Sequence, residues 1–174
     1  MTFSYGFSMD TPLGCLLVQG TEEAIQFMKF IDGDVGQLLQ GTDLQQPRWM
    51  QSCEQQLNEY FAGLRSEFSL PIDPQGTEFQ KQVWGQLVKV RNGELSSYQQ
   101  LATACDNPKA VRAVASANAN NPIWILIPCH RIIGSDSALR GYAGGLERKA
   151  ELLKLEGHEL SQQSEFTAKT RVLS

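Results

Sequence analysis

The chain reads as an α+β protein in two parts, a small N-terminal antiparallel sheet-plus-helix domain followed by a mostly helical domain with a helix-turn-helix. Three observations carry that reading. Apolar residues alternate around a turn signal near the N-terminus, recur every fourth residue after Pro47, and the charge changes sign near residue 76. Residues 1–76 hold three basic side chains (Lys29, Arg48, Arg65) against ten acidic ones, net −7, whereas residues 77–157 hold ten against seven, net +3. The last residues balance, leaving −4 overall.

The opening segment alternates around Asp10-Thr11-Pro12-Leu13-Gly14 and continues through Leu16, Leu17 and Val18, which predicts a hairpin. Ile25 to Ile31 fits either a strand or a helix, and a third strand is the preferred reading because Gly33 and Gly36 follow closely. Behind Pro47, the spacing of Trp49, Cys53, Leu57 and Phe61 predicts an amphipathic helix ending near Gly63. The turn-rich Leu70 to Gly76 is the expected linker, giving domains at 1–72 and 73–160 and a polar tail at 161–174, loosely docked or disordered. Thr77 and Gln80 form a capping box for a helix carrying Phe79, Val83, Leu87 and Val90 to about Arg91. Two short segments, Ser97 to Ala104 and Lys109 to Asn118, flank the break at Asn107-Pro108 as a helix-turn-helix.

At 174 residues and 41% hydrophobic content the chain has material for a real core. No apolar run approaches a membrane span and no signal peptide is apparent, so a cytoplasmic location is expected. Cysteines 15, 53, 105 and 129 lack Cys-x-x-Cys pairing, and the two histidines, His130 and His158, lie late in the chain. Neither a disulfide framework nor a closed metal site is expected, and no cofactor. The excess of positive charge in the second half suits a moderate, salt-sensitive affinity for phosphates.

Cys129 is the strongest nucleophile available, and a reactive thiol needs a cation or base nearby. His130 and Arg131 supply both types, although in an extended strand neighbouring side chains point to opposite faces. Pro128 permits a bend after a strand ending at Ile127. A buried inert thiol beside a structural histidine explains the same residues. Glu156, after the apolar Leu152-Leu153-x-Leu155, is the candidate carboxylate to orient the histidine; a solvated residue before the Gly157 cap is its plainer reading. On the second short helix, Lys109, Arg112 and Ser116 share a face of small residues, suited to a DNA groove or to a plain surface helix. Gly141-Tyr142-Ala143-Gly144-Gly145 lacks P-loop spacing and reads as a tight pocket wall, with Tyr142 as its lid.

These motifs converge. Asn121-Pro122-x-x-Ile125-Leu126-Ile127-Pro128-Cys129-His130-Arg131, with Gly76-Thr77-x-Phe79-Gln80 before it and Gly141-Tyr142-x-Gly144-Gly145-Leu146 after it, resembles the O6-alkylguanine-DNA alkyltransferases, the methylated-DNA–protein-cysteine methyltransferases. The resemblance is dense from Gly76 to Gly157 and thinner upstream. It implies a ribonuclease H-like N-terminal domain and a monomeric enzyme. The implied reaction is the direct repair of duplex DNA by irreversible, once-only transfer of an alkyl group from O6-alkylguanine to Cys129, with O4-alkylthymine as a second candidate substrate. It further implies that the helix-turn-helix enters the minor groove and the damaged base is flipped out. Arg112 would fill the vacated space, with Lys109, Ala113 and Ser116 on the same DNA-facing helix. Glu156 would orient His130 to take the Cys129 proton through a water, while Tyr98 crowds the phosphate and protonates the leaving guanine. Asn121 would brace the turn, and Ile132, Tyr142 and Ala143 would line the base pocket. Two rival classes remain: a DNA-binding module that transfers nothing, and a cysteine hydrolase using Cys129, His130 and Glu156.

Overall fold

Thr11 and Gly14 close the first hairpin chemically: the Thr11 hydroxyl donates to the Gly14 carbonyl (2.7 Å) and accepts from the Leu13 amide (3.1 Å). Gly14 takes φ +114°, which only glycine adopts without strain. The computed structural model describes residues 3–39, 46–161 and 170–173 and divides into two units.

In the first unit β1 (Tyr5–Thr11), β2 (Gly14–Gly20) and β3 (Ile25–Phe30) form an antiparallel sheet in that order. Consecutive Leu16, Leu17 and Val18 are all buried, so the middle strand is covered on both faces. A shift of register at Gln19/Gly20 fits Gly20, where a Cβ would strike the Ala24 carbonyl. The outer edge of β3 is capped by two short stretches. The Ile25 amide donates to Pro71 and the Asp73 amide returns to Ile25, while Met28 pairs in the same way with Pro122 and Trp124. Sheet edges left open invite foreign pairing, and these segments close this one. They also move the expected boundary: Ile72 and Asp73 belong to the sheet, so the first unit runs to Gln75 and includes Pro122–Trp124.

Helix α1 (Arg48–Phe61) begins one residue after the proline, which sits extended at the N-cap. Its buried stripe is Trp49, Met50, Cys53, Gln56, Leu57 and Tyr60. Tyr60 replaces the expected Phe61 because a 3.6-residue period drifts away from strict four-residue spacing. Burial pushes the Cys53 thiol up to about 12, so it is protonated and inert at neutral pH.

The second unit holds α2 (Glu78–Leu87), α3 (Tyr98–Ala104), α4 (Val111–Ala119) and α5 (Leu146–Leu155). Two pairs of short strands link them: β4 (Ser96–Ser97) runs parallel to β5 (Ile132–Ile133), and β6 (Glu159–Leu160) antiparallel to β7 (Val172–Leu173). Both halves of the Thr77/Gln80 capping box form, and Ser97/Gln100 repeats the device on α3. Helix α2 stops at Leu87 rather than Arg91, tightening through i→i+3 bonds from Lys89 and Val90. Its buried face includes Trp84, whose indole N–H donates to the Ala117 carbonyl at 2.9 Å and ties α2 to α4. The ring also explains Gly76, since a Cβ there would meet its far edge. Between α3 and α4, Asp106 adopts φ 57° and the Asn107 amide donates to Ala102, which makes the tight turn of a helix-turn-helix.

Two expectations change. The segment before Cys129 is not a strand but a series of turns. The tail at 161–174 is not loose throughout: residues 162–169 and 174 lie outside the described ones, but Thr170 is fully buried and Val172 joins Ile133, Leu139, Ala150 and Leu153 in a hydrophobic cluster. Among the described residues no helix is long and apolar enough to cross a membrane.

Trp84→Phe should strand the Ala117 carbonyl and leave a cavity where the outer ring sits, costing about 2–5 kcal/mol in denaturant unfolding. Gly76→Ala should destabilise as well, and Gly76→Ala combined with Trp84→Phe, which shortens the ring system, should recover part of that loss.

Candidate active site

A left-handed kink starts the segment that carries Cys129. Ile125 is buried with φ 72°, a costly conformation for a β-branched residue and one found where surrounding structure enforces it. Pro128 follows with φ −81° and ψ 62°, the centre of an inverse γ-turn in which the Cys129 amide donates to the Ile127 carbonyl at 2.8 Å. Cys129–Arg131 then forms one 3-10 turn, closed by the Arg131 amide on the Pro128 carbonyl. Successive side chains on such a turn radiate about 120° apart, so the alternation of a strand does not apply.

Asn121, fully buried just after α4, locks this arrangement. Its side-chain amide donates to the Ile127 carbonyl (2.7 Å) and to the Cys129 sulfur (3.0 Å). Such a donor favours the thiolate over the thiol. The thiol itself is 2% exposed, with aliphatic neighbours in sequence.

His130, with no exposed surface, places Nε2 2.8 Å from Oε1 of Glu156. The carboxylate also takes a bidentate guanidinium: Arg131 Nε reaches Oε2 at 2.9 Å and Nη2 reaches Oε1 at 2.8 Å, while Nη1 donates to the Val90 carbonyl at 2.6 Å. Glu156 caps the C-terminus of α5, where the helix dipole is unfavourable to an anion, so the cation beside it matters. Burial alone would raise the Glu156 pKa, but His130 and Arg131 outweigh it and hold the carboxyl well below its usual range. Burial lowers the pKa of His130, against the pull of Glu156, and Arg131 and Lys149 push the same way as burial. The imidazole is therefore neutral near pH 7. An ionised carboxylate can only accept, so Nε2 carries the proton and Nδ1 presents a lone pair. That Nδ1 makes no hydrogen bond with the described residues.

Tyr98 opens α3 half-buried, and its hydroxyl donates to the Arg140 carbonyl at 3.0 Å, with Gly141 at 3.4 Å. Burial first, then the charge of Cys129, pushes its phenol up to about 12, so it keeps its proton. The same two carbonyls, with that of Ile132, accept from Lys149, a lysine with no exposed surface whose pKa burial lowers to about 8. Ile132 is buried in β5, Tyr142 is half-buried, and Ala143 is exposed. On α4, Arg112, Ala113 and Ser116 lie outside the buried face, as does Lys109 just before it, while Val114 is buried. Cys129, His130, Asn121 and Glu156 thus come together, and Tyr98 lies within reach of the Cys129 charge. The described residues contain no group of three or more side chains that would hold a metal ion.

Two residues escaped the sequence reading. Arg131 appeared as a cation for the thiol but pairs with Glu156 instead. Lys149 had a usable signal, since it shares the i, i+3, i+4, i+7 stripe of Leu146, Ala150 and Leu153.

A two-unit protein with a helix-turn-helix and a buried cysteine beside a histidine-carboxylate pair defines a narrow class, and comparison with known proteins identifies it. Residues 5–74 match the family model described as "6-O-methylguanine DNA methyltransferase, ribonuclease-like domain", and residues 78–158 match its "DNA binding domain". The chain belongs to the 6-O-methylguanine DNA methyltransferase family. It is 44% identical to the constitutive methylated-DNA–protein-cysteine methyltransferase of Bacillus subtilis over 157 residues, 88% of this chain and 95% of that one. It is 41% identical to the Methanosarcina acetivorans enzyme over 148 residues, 85% and 95% of the two chains. A crystal structure of Mycobacterium tuberculosis OGT in complex with DNA matches with a TM-score of 0.75 at 38% identity, covering 86% of this chain and 90% of the other.

Arg131→Ala should cost about 3–5 kcal/mol, because it leaves Glu156 buried with one partner fewer. The acid limb of stability follows from the two shifts. Unfolded His130 takes up a proton near its ordinary 6.5 and unfolded Glu156 near 4.5, while both folded values lie lower. The unfolded state therefore binds more protons as the pH falls through these values, and stability drops. Thermal midpoints should decline from neutral pH toward about pH 4, and Glu156→Gln should flatten the lower part of that decline.

Proposed function

We propose that this chain repairs duplex DNA by moving an alkyl group from O6 of guanine to Cys129, once per molecule. The observation that carries the reading is the single turn on which Cys129 receives the Asn121 amide and His130 is held by Glu156. In the proposed step the thiol proton passes through a water to Nδ1 of His130, and Asn121 stabilises the thiolate. Sulfur attacks the alkyl carbon in line as the carbon–O6 bond breaks. The electrons of that bond stay on guanine, and Tyr98, protonated at neutral pH, supplies the proton that restores the base. The product thioether offers water no adequate leaving group, so the protein is consumed.

In this reading α4 enters the minor groove, with Lys109, Ala113 and Ser116 against the duplex and Arg112 filling the space of the flipped guanine. Flipping costs a few kcal/mol and is cheapest at a weakened pair, which favours damaged sites. Backbone near Ile132, the Tyr142 ring and the Ala143 amide receive the base. The protein works as a cytoplasmic monomer without metal or cofactor, and O4-alkylthymine is a secondary substrate.

Incubation with duplex DNA carrying O6-methylguanine should raise the intact mass by one methyl group replacing one hydrogen, and Cys129→Ser should abolish the gain. Binding without a mass change would instead identify a non-transferring module. Arg112→Ala should slow transfer from duplex by roughly 10–100-fold, while reaction with the free base O6-benzylguanine is spared, because only the duplex needs the base flipped.

A further inference from the structure

We propose that Thr170–Leu173 is a positioning element of the alkyl-acceptor site. By clamping Ser137 and Leu139 it fixes the loop leading to Tyr142 and so sets how the alkyl group is oriented and which sizes react well. This rests on the proposed role of Tyr142 and Ala143 in the base pocket.

The segment lies beyond residues 78–158, the stretch that matches the family's DNA-binding domain. It nevertheless supplies backbone bonds to that domain. The Leu139 amide donates to the Thr170 carbonyl at 2.9 Å, and the Val172 amide donates to the Ser137 carbonyl at 3.0 Å. Arg171 bridges to Ala138 in antiparallel fashion and places a guanidinium nitrogen 3.5 Å from Asp136. On its other side the segment pairs with Glu159 and Leu160, and the Ser161 amide donates to Arg171. Thr170 has no exposed surface and Val172 only 8%. The segment is thus an inserted strand held on both edges, anchored by one apolar side chain in the cluster of Ile133, Leu139, Ala150 and Leu153.

What it holds is one end of a short lever. Immediately after Leu139, the Arg140 and Gly141 carbonyls accept from Tyr98 and Lys149. The direction of the Arg140 carbonyl therefore decides where the Tyr98 hydroxyl points. Loss of the strap would strip the Leu139 amide and the Ser137 carbonyl of these partners and leave the loop to Tyr98, Lys149 and its own local bonds, such as that from the Gly134 amide to the Ala138 carbonyl. In-line transfer to sulfur demands near-attack geometry, and small displacements of supporting structure are enough to slow such a step. A methyl group, which fills little of the pocket, depends most on the wall for its aim. A benzyl group packs against slack walls and depends on it less.

The test compares the full chain with a chain ending at Lys169 and with Val172→Ala, under single-turnover conditions with saturating duplex. Substrates carry O6-methylguanine or O6-benzylguanine. The expected result for both variants is a methyl-transfer rate reduced roughly tenfold, a smaller loss with benzyl, and unchanged affinity for duplex. Hydrogen exchange at the Leu139 amide should speed up in parallel. Should the shortened chain fail to fold, Val172→Ala, which keeps the backbone bonds, decides the matter by itself. Equal losses for the two substrates, matching the folded fraction, would reduce the segment to a stabilising one and overturn the proposal. So would unaltered rates. Absence of any transfer by the full chain would instead overturn the repair reading itself.

Discussion

The carboxylate of Glu156, buried and shared by His130 and Arg131, is the constraint on which the arrangement around Cys129 depends. A lone carboxylate could not stay ionised there, and the end of α5 makes the position worse. The bidentate guanidinium solves this problem, and ionisation in turn dictates the tautomer of His130. Arg131 also anchors to the Val90 carbonyl, so the turn after α2, the 3-10 turn and the end of α5 are joined by one buried ion pair. Buried pairs of this kind are poor sources of stability and good sources of definition. Here the definition is the orientation of the His130 imidazole.

A second theme is the use of backbone carbonyls as fixed points. Asn121 fixes the Ile127 carbonyl while touching the Cys129 sulfur, and Lys149 gathers the carbonyls of Ile132, Arg140 and Gly141. Irregular segments cannot satisfy their own polar groups as helices do, and a buried one requires side chains to do it. The segment that carries Cys129 contains a left-handed Ile125, an inverse γ-turn and a single 3-10 turn; backbone bonds close the two turns, and the Asn121 side chain satisfies the Ile127 carbonyl. Strain and polar satisfaction together leave it few alternative conformations.

The first unit shows the same economy at a sheet edge. Strand β3 is finished by residues 71–73 and 122–124 from distant parts of the chain. A linker judged by composition alone therefore became part of the sheet, and the three residues after Asn121 became its last edge. Turn formers such as Pro71 and Pro122 suit these places because an edge strand needs only some of its amides.

By itself the sequence determined what local chemistry determines. The hairpin at Thr11 to Gly14, the Thr77/Gln80 capping box, the break at Asn107-Pro108 and the exposed face of α4 follow from turn residues, caps and periodicity, and all are interactions within a few positions. The motif around Cys129 identified the family, and through it Glu156 as a partner for His130. Only the tertiary structure decided the rest, because those contacts join residues far apart along the chain. Arg131 lies 25 positions from Glu156 and Trp84 33 from Ala117, while Thr170 returns to Leu139 from a tail that composition marks as polar. Periodicity carries no information about such pairs. Nor could it show that the segment before Cys129 is a chain of turns, since its aliphatic run satisfies a buried strand equally well, and only the partners of its carbonyls distinguish the two.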